Sequence, residues 1–240
     1  MKEKNELQGG VQKKDAIAKE ANQEHKLLGF ITRNSKVIIV LGVAVIAVVL
    51  LIYYFNWRAE KRYNEASLAL MRVIEYYQIG EYETALNGNP QIQIRGEKLK
   101  GLKEISDEYS STEPGKTAAF FAGLSATKLG EVKEAKDFYV EASKSKSEAV
   151  SMGGFAGMAS CFETEGNYKE AAENYIKAAD KALDDNSKAR YMYFAGLSFE
   201  KAGDKQKAGE FYKRIVDELE KSSFINYAKS GLVRLGIEFE

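Results

Sequence analysis

The 240-residue chain contains a single histidine, His25, and a single cysteine, Cys161. No histidine follows residue 25, which removes His-based acid–base catalysis, catalytic triads and most zinc sites from the larger part of the chain. One thiol cannot form an internal disulfide, and without a histidine partner Cys161 lacks the usual base of a thiol nucleophile. Its apolar neighbours predict a core position. His25 sits in a polar stretch and reads as solvated. Net charge is also missing, with 35 Lys and Arg against 35 Asp and Glu, so no overall field draws in nucleic acid. The carboxylate pairs Asp184-Asp185 and Glu163-x-Glu165 read as solvated groups near helix ends. The glycines at 153, 154 and 157 do not follow a strand, so no phosphate-cradling loop is expected. These absences predict a non-enzymatic chain without a cofactor, a metal site or a nucleic-acid partner.

What is present is dominated by one stretch. Residues 37–55, VIIVLGVAVIAVVLLIYYF, hold no charge, and at a rise of ~1.5 Å per residue they would span about 28 Å, close to the thickness of a bilayer's hydrocarbon. Tyr53, Tyr54, Phe55 and Trp57 crowd one end, where amphipathic rings favour the headgroup level, and Arg58, Lys61 and Arg62 follow. Arg33 and Lys36 bound the other end. A transmembrane helix over 37–57 is expected, with the lipid bilayer as its partner. A cleaved signal peptide needs a shorter apolar run and a small-residue cleavage site, and the sequence Tyr-Tyr-Phe-Asn-Trp-Arg supplies none.

The tail 1–36 is net +3, which leaves −3 for the rest of the chain. Lys and Arg near the two ends of the apolar run tie at four each (Lys19, Lys26, Arg33, Lys36; Arg58, Lys61, Arg62, Arg72). Because short segments weigh more than long ones, the tail is expected in the cytoplasm and the larger part outside it. The tail itself reads as polar and partly ordered, with a weak helical pattern of Ala16, Ile17, Leu27, Leu28, Phe30 and Ile31 that could lie on the membrane surface.

Beyond the apolar run, Ala66, Leu68, Ala69, Leu70, Val73, Ile74 and Tyr77 recur at helical spacing without Pro or Gly, which predicts an unbroken continuation that Gly80 stops. Asn87-Gly88-Asn89-Pro90 is rich in turn formers. A further helix is expected around Leu99, Leu102, Ile105 and Tyr109. Residues 58–115 thus read as a helical extension plus a degenerate first repeat with an insertion around Pro90.

From Lys116 the chain repeats itself. FFAGLSATKLG, starting at Phe120, aligns without a gap with YFAGLSFEKAG, starting at Tyr193. Each is followed by a charged helix with small and aromatic residues at fixed intervals: Ala135, Tyr139, Ala142, then Ala171, Tyr175, Ala178, then Ala208, Tyr212, Ile215. A middle copy spans Phe155 to Gly166, with Ala159 in place of the helix glycine. These residues resemble the tetratricopeptide repeat, which places a small residue at its eighth position, alanine at its twentieth and twenty-seventh, and an aromatic at its twenty-fourth. Three copies match, from Lys116, Met152 and Ala189. They depart from the pattern at Ala119, Ala126, Met192 and Phe199, and each lacks the terminal proline. The expected fold is all-α: an N-terminal transmembrane helix, then a tetratricopeptide-repeat α-solenoid of antiparallel helix pairs over 116–240, closed by a helix between Phe224 and Ile237.

The resemblance implies a partner-binding groove on the first helices, at Thr117, Phe120, Leu124 and Thr127, at Gly153, Ala156, Ser160 and Glu163, and at Arg190, Tyr193, Leu197 and Glu200. The Lys/Asn arrangement that clamps a chaperone tail's carboxylate in some members is not there. An apolar groove suits extended or helical segments of other proteins. In layout the chain resembles the ancillary Sec-translocon subunits of the bacterial inner membrane, which implies periplasmic repeats and, as partners, translocon subunits, periplasmic chaperones or secretory clients. The alternative is a scaffold subunit for cell division, peptidoglycan synthesis or respiratory assembly.

Overall fold

The computed structural model describes Lys19, His25, Lys26 and residues 32–239. The helical pattern read in the tail, with its membrane-surface lead-in at Leu27 to Ile31, lies outside the described residues. The chain divides into two compact units, Met1–Arg58 and Ala59–Glu240. Among the described residues there are ten helices and one two-stranded sheet. Helix α1 runs Ser35–Gln78, α2 Tyr82–Asn87, α3 Leu102–Glu108, α4 Glu113–Leu129, α5 Val132–Ser143, α6 Glu148–Thr164, α7 Tyr168–Asp180, α8 Asp185–Lys201, α9 Lys205–Glu218 and α10 Ile225–Leu235. Strands β1 (Gly88–Ile94) and β2 (Glu97–Lys100) form an antiparallel hairpin.

In the first unit the apolar part of α1 is uncovered by protein: Val40 is 67% exposed and Phe55 62%. It is the one helix among the described residues long and apolar enough to cross a membrane.

In the second unit the α1 residues Ala66 and Val73 are buried, together with Ala85, Leu86, Leu99, Leu102, Ile105 and Ala118, Ala122 and Ala126 of α4, in one core cluster. A second cluster runs from Ala159 to Leu232 across α6 to α10. Helix starts follow capping chemistry. Thr112 accepts from the Gly115 amide with Pro114 in the first turn of α4, Asp184 from the Ser187 amide, and Asp204 from the Lys207 amide. Each pair turns at Gly130, Gly166 or Gly203, all with φ near +80°, where a side chain would be strained.

The hairpin differs from the expected helix around Leu99. Gln91-Ile92-Gln93-Ile94 alternates polar with apolar, Arg95 and Gly96 both take positive φ, and the strand returns through Leu99. That is the pattern of a two-residue hairpin turn. Leu99 is still buried, but from a strand, and the helix begins only at Leu102. At the hairpin's base the chain nearly touches itself: a Cβ on Gly88 would fall 2.5 Å from the Gly101 nitrogen.

Candidate functional site

The first helices of the pairs, α4, α6 and α8, and then α10, are neighbours. The Phe120 ring of α4 sits against Gly153 of α6, where a Cβ would fall 2.5 Å from its Cε2. Glu163 of α6 meets Lys201 of α8, and Glu200 of α8 meets Arg234 of α10. All four helices therefore contribute to one face.

Each pair is locked by the tyrosine of its second helix. The Tyr212 ring lies between two glycines on different helices. A Cβ on Gly196 would meet its Cδ1/Cε1 edge, and one on Gly231 its Cδ2/Cε2 edge. Tyr139 packs likewise against Gly123 and Gly157, both of which meet its Cδ1/Cε1 edge. The hydroxyls repeat as well. Tyr139 Oη lies 3.0 Å from Thr127 Oγ1, Tyr175 donates to Glu163 at 2.9 Å, and Tyr212 donates to Glu200 at 3.0 Å. In every case the partner lies 12 residues earlier. Burial pushes the Tyr139 hydroxyl up to about 12. Burial, with the facing carboxylate, raises Tyr175 and Tyr212 as well, so all three stay protonated donors.

Glu163 and Glu200 therefore have more partners than solvated carboxylates would. Glu163 also accepts from Ser198 Oγ at 3.2 Å and Lys201 Nζ at 3.1 Å. Glu200 also takes a two-pronged contact from Arg234 Nε at 2.7 Å and Nη2 at 2.8 Å, and these bonds hold its carboxyl below the usual range. Both residues join one repeat to the next helix.

The remaining groove positions are placed as follows. Thr117 and Thr127 donate back to the carbonyls of Glu113 and Gly123. Leu124 and Leu197 are half-buried against the first and second core clusters respectively. Gly153 and Ala156 are half-buried, and Ser160 is exposed. Arg190 lies over the Tyr191 ring, 4.8 Å from its centroid, and donates from Nη2 to the Tyr191 hydroxyl. Tyr193 is the hub of a ring cluster, with Phe194, Tyr212, Phe224 and Tyr227 at centroid distances of 5.7–6.1 Å. Tyr227 is 57% exposed.

The structure thus brings Arg190, Tyr193 and Leu197 together on α8 beside α10. It also adds Phe224, Tyr227 and Arg234, which the repeat pattern does not reach because α10 closes the array without a second helix. The aromatic-x-x-aromatic spacing of Phe224 and Tyr227 is the sequence signal that could have flagged them. Cys161 lies in the core, where burial pushes its thiol up to about 11. A second concavity, of about 760 Å³, lies among Leu68, Ala69 and Arg72 of α1, Pro90, strand β2, and Glu104 and Glu108 of α3.

A sequence profile described as a tetratricopeptide repeat-like domain matches residues 29–235. The chain belongs to this family. No curated protein and no solved structure matches it. The stacked helix pairs and their interlocking tyrosines are the tetratricopeptide repeat-like architecture, and domains of this kind are in general protein–protein interaction modules.

Proposed function

We propose that this chain is a membrane-anchored, non-enzymatic interaction module that assists protein translocation or chaperone handover at the periplasmic face of a bacterial inner membrane. The carrying observation is the open ring cluster on the first-helix face, Tyr193, Phe224 and Tyr227, with Tyr227 57% exposed. Apolar and aromatic surface left open beside polar neighbours favours association with another protein. The uncovered apolar run of α1 supports the anchor. Tethering raises the local concentration of weak sites, so modest contacts suffice. The layout resemblance to ancillary translocon subunits supports the choice of translocating chains over other clients.

Crosslinking in intact membranes followed by affinity purification tests this. Recovery of translocon subunits with varied secretory chains is expected, and Tyr227→Ala should reduce it while leaving helicity intact. One stoichiometric set of division, peptidoglycan or respiratory subunits would instead establish the scaffold reading. Protease added to intact spheroplasts should digest residues 58–240, and protection of that part would reverse the orientation.

A further inference from the structure

The cations on the first-helix face are not equivalent. Lys201 and Arg234 are neutralised by Glu163 and Glu200. Arg190 is in none of the ion pairs among the described residues, and its buried Nε has no hydrogen-bond partner. Asp184 spends its two oxygens on the amide and hydroxyl of Ser187, bonds that hold its carboxyl below the usual value with only a lesser part from the Arg190 charge. An unpaired buried donor on a charged group is costly to leave unmade. The Tyr191 ring beneath the guanidinium and its hydroxyl at Nη2 fix the orientation of the plane.

One helical turn further along the same face is Tyr193, packed against Phe224 and Tyr227. Residues three apart on a helix lie about 5–6 Å apart. Neighbouring and alternate side chains of an extended peptide, rising about 3.3 Å per residue, cover that span. A guanidinium fork selects a planar carboxylate, and the rings select an apolar side chain.

We propose that Arg190 and the Tyr193–Phe224–Tyr227 rings form one subsite for an extended protein segment whose acidic side chain lies within two residues of an aromatic or aliphatic one. This rests on the groove reading above and names the chemistry of its client.

The test uses the full chain in lipid nanodiscs and two pools of seven-residue amidated peptides, randomised except for a central Asp in one and a central Asn in the other. The Asp pool should be retained about tenfold more than the Asn pool, as for a charge-assisted bond. Its bound peptides should be enriched in aromatic and aliphatic residues beside the Asp. Arg190→Gln, melting like the wild type, should abolish the preference. Tyr227→Ala should weaken both pools alike. A third, Asn-centred pool with a free terminal carboxylate separates a chain end from an acidic side chain as the ligand, and its preference over the Asp pool would overturn the proposal. Equal retention of the Asp and Asn pools, lost in Tyr227→Ala, would overturn the role of Arg190 and keep the groove. Retention of neither pool, or retention indifferent to both substitutions, would overturn both.

Discussion

Substituting Gly231 with alanine puts one methyl group into a tight joint of the array. Its Cβ would lie 2.6 Å from Tyr212 Cδ2 and Cε2 and 2.9 Å from Cζ, about 1 Å inside the optimum for carbon–carbon contact. The ring cannot swing away, because its other edge already abuts Gly196, where a Cβ would fall 2.5 Å from Cε1. Tyr212 is 0% exposed and its hydroxyl is held by Glu200. Overpacking of this kind costs about 1–3 kcal/mol, and the helix propensity regained from Gly to Ala returns about 1 kcal/mol. The net loss should be up to about 2 kcal/mol, lowering the melting temperature by up to roughly 8 °C for a domain of this size. Far-UV circular dichroism of the full chain in detergent measures it. The decisive arm is the double variant. With Tyr212→Leu the obstruction is gone, so Gly231→Ala on that background should be neutral or stabilising by up to about 1 kcal/mol. If Gly231→Ala stabilises the wild-type background, or destabilises both equally, the ring is not what the glycine accommodates and the reasoning fails.

Glu163→Ala strands the buried Tyr175 hydroxyl and frees Ser198 and Lys201; a loss of about 1–3 kcal/mol in urea unfolding is expected, and Glu163→Gln should lose less. Glu200 has a lowered pKa because Arg234 holds it, so its contribution is present above the unfolded value of 4.5 and is lost as pH falls through the folded value. Glu200→Ala should therefore cost about 1 kcal/mol at pH 7, given the half-exposed Arg234, and the gap to wild type should narrow as pH falls below 4.5 through the lowered folded value. Cys161, its thiol raised to about 11, holds only about a thousandth of its thiolate at pH 8. An aromatic disulfide reagent should therefore label it at least about a hundredfold more slowly in the folded chain than in urea. Gly101→Ala drives a Cβ into the Leu86 carbonyl and the Asn87 backbone, neither of which can rotate away; a loss of about 3 kcal/mol is expected by the same urea titration.

The uncharged run at 37–55, the 36- and 37-residue spacing of Ala135, Ala171 and Ala208, and the corner glycines at 130, 166 and 203 determine the helical repeat fold from sequence alone. They do so because hydropathy, close helix crossing and positive φ each restrict the residue type at one position, whatever lies elsewhere in the chain. The hairpin at Gly88–Lys100 was legible only in part. Its period-two alternation covers just four residues before the turn, and Leu99 suits a buried helix as well as a strand. Thr127, Glu163 and Glu200 could be assigned to one repeat position from the sequence. That Glu163 and Glu200 bind Lys201 and Arg234 of the following first helix, while Arg190 is in none of the ion pairs among the described residues, was decided by tertiary structure. Ion pairing depends on distances between residues 34 and 38 apart, and those distances exist only once the helices have stacked.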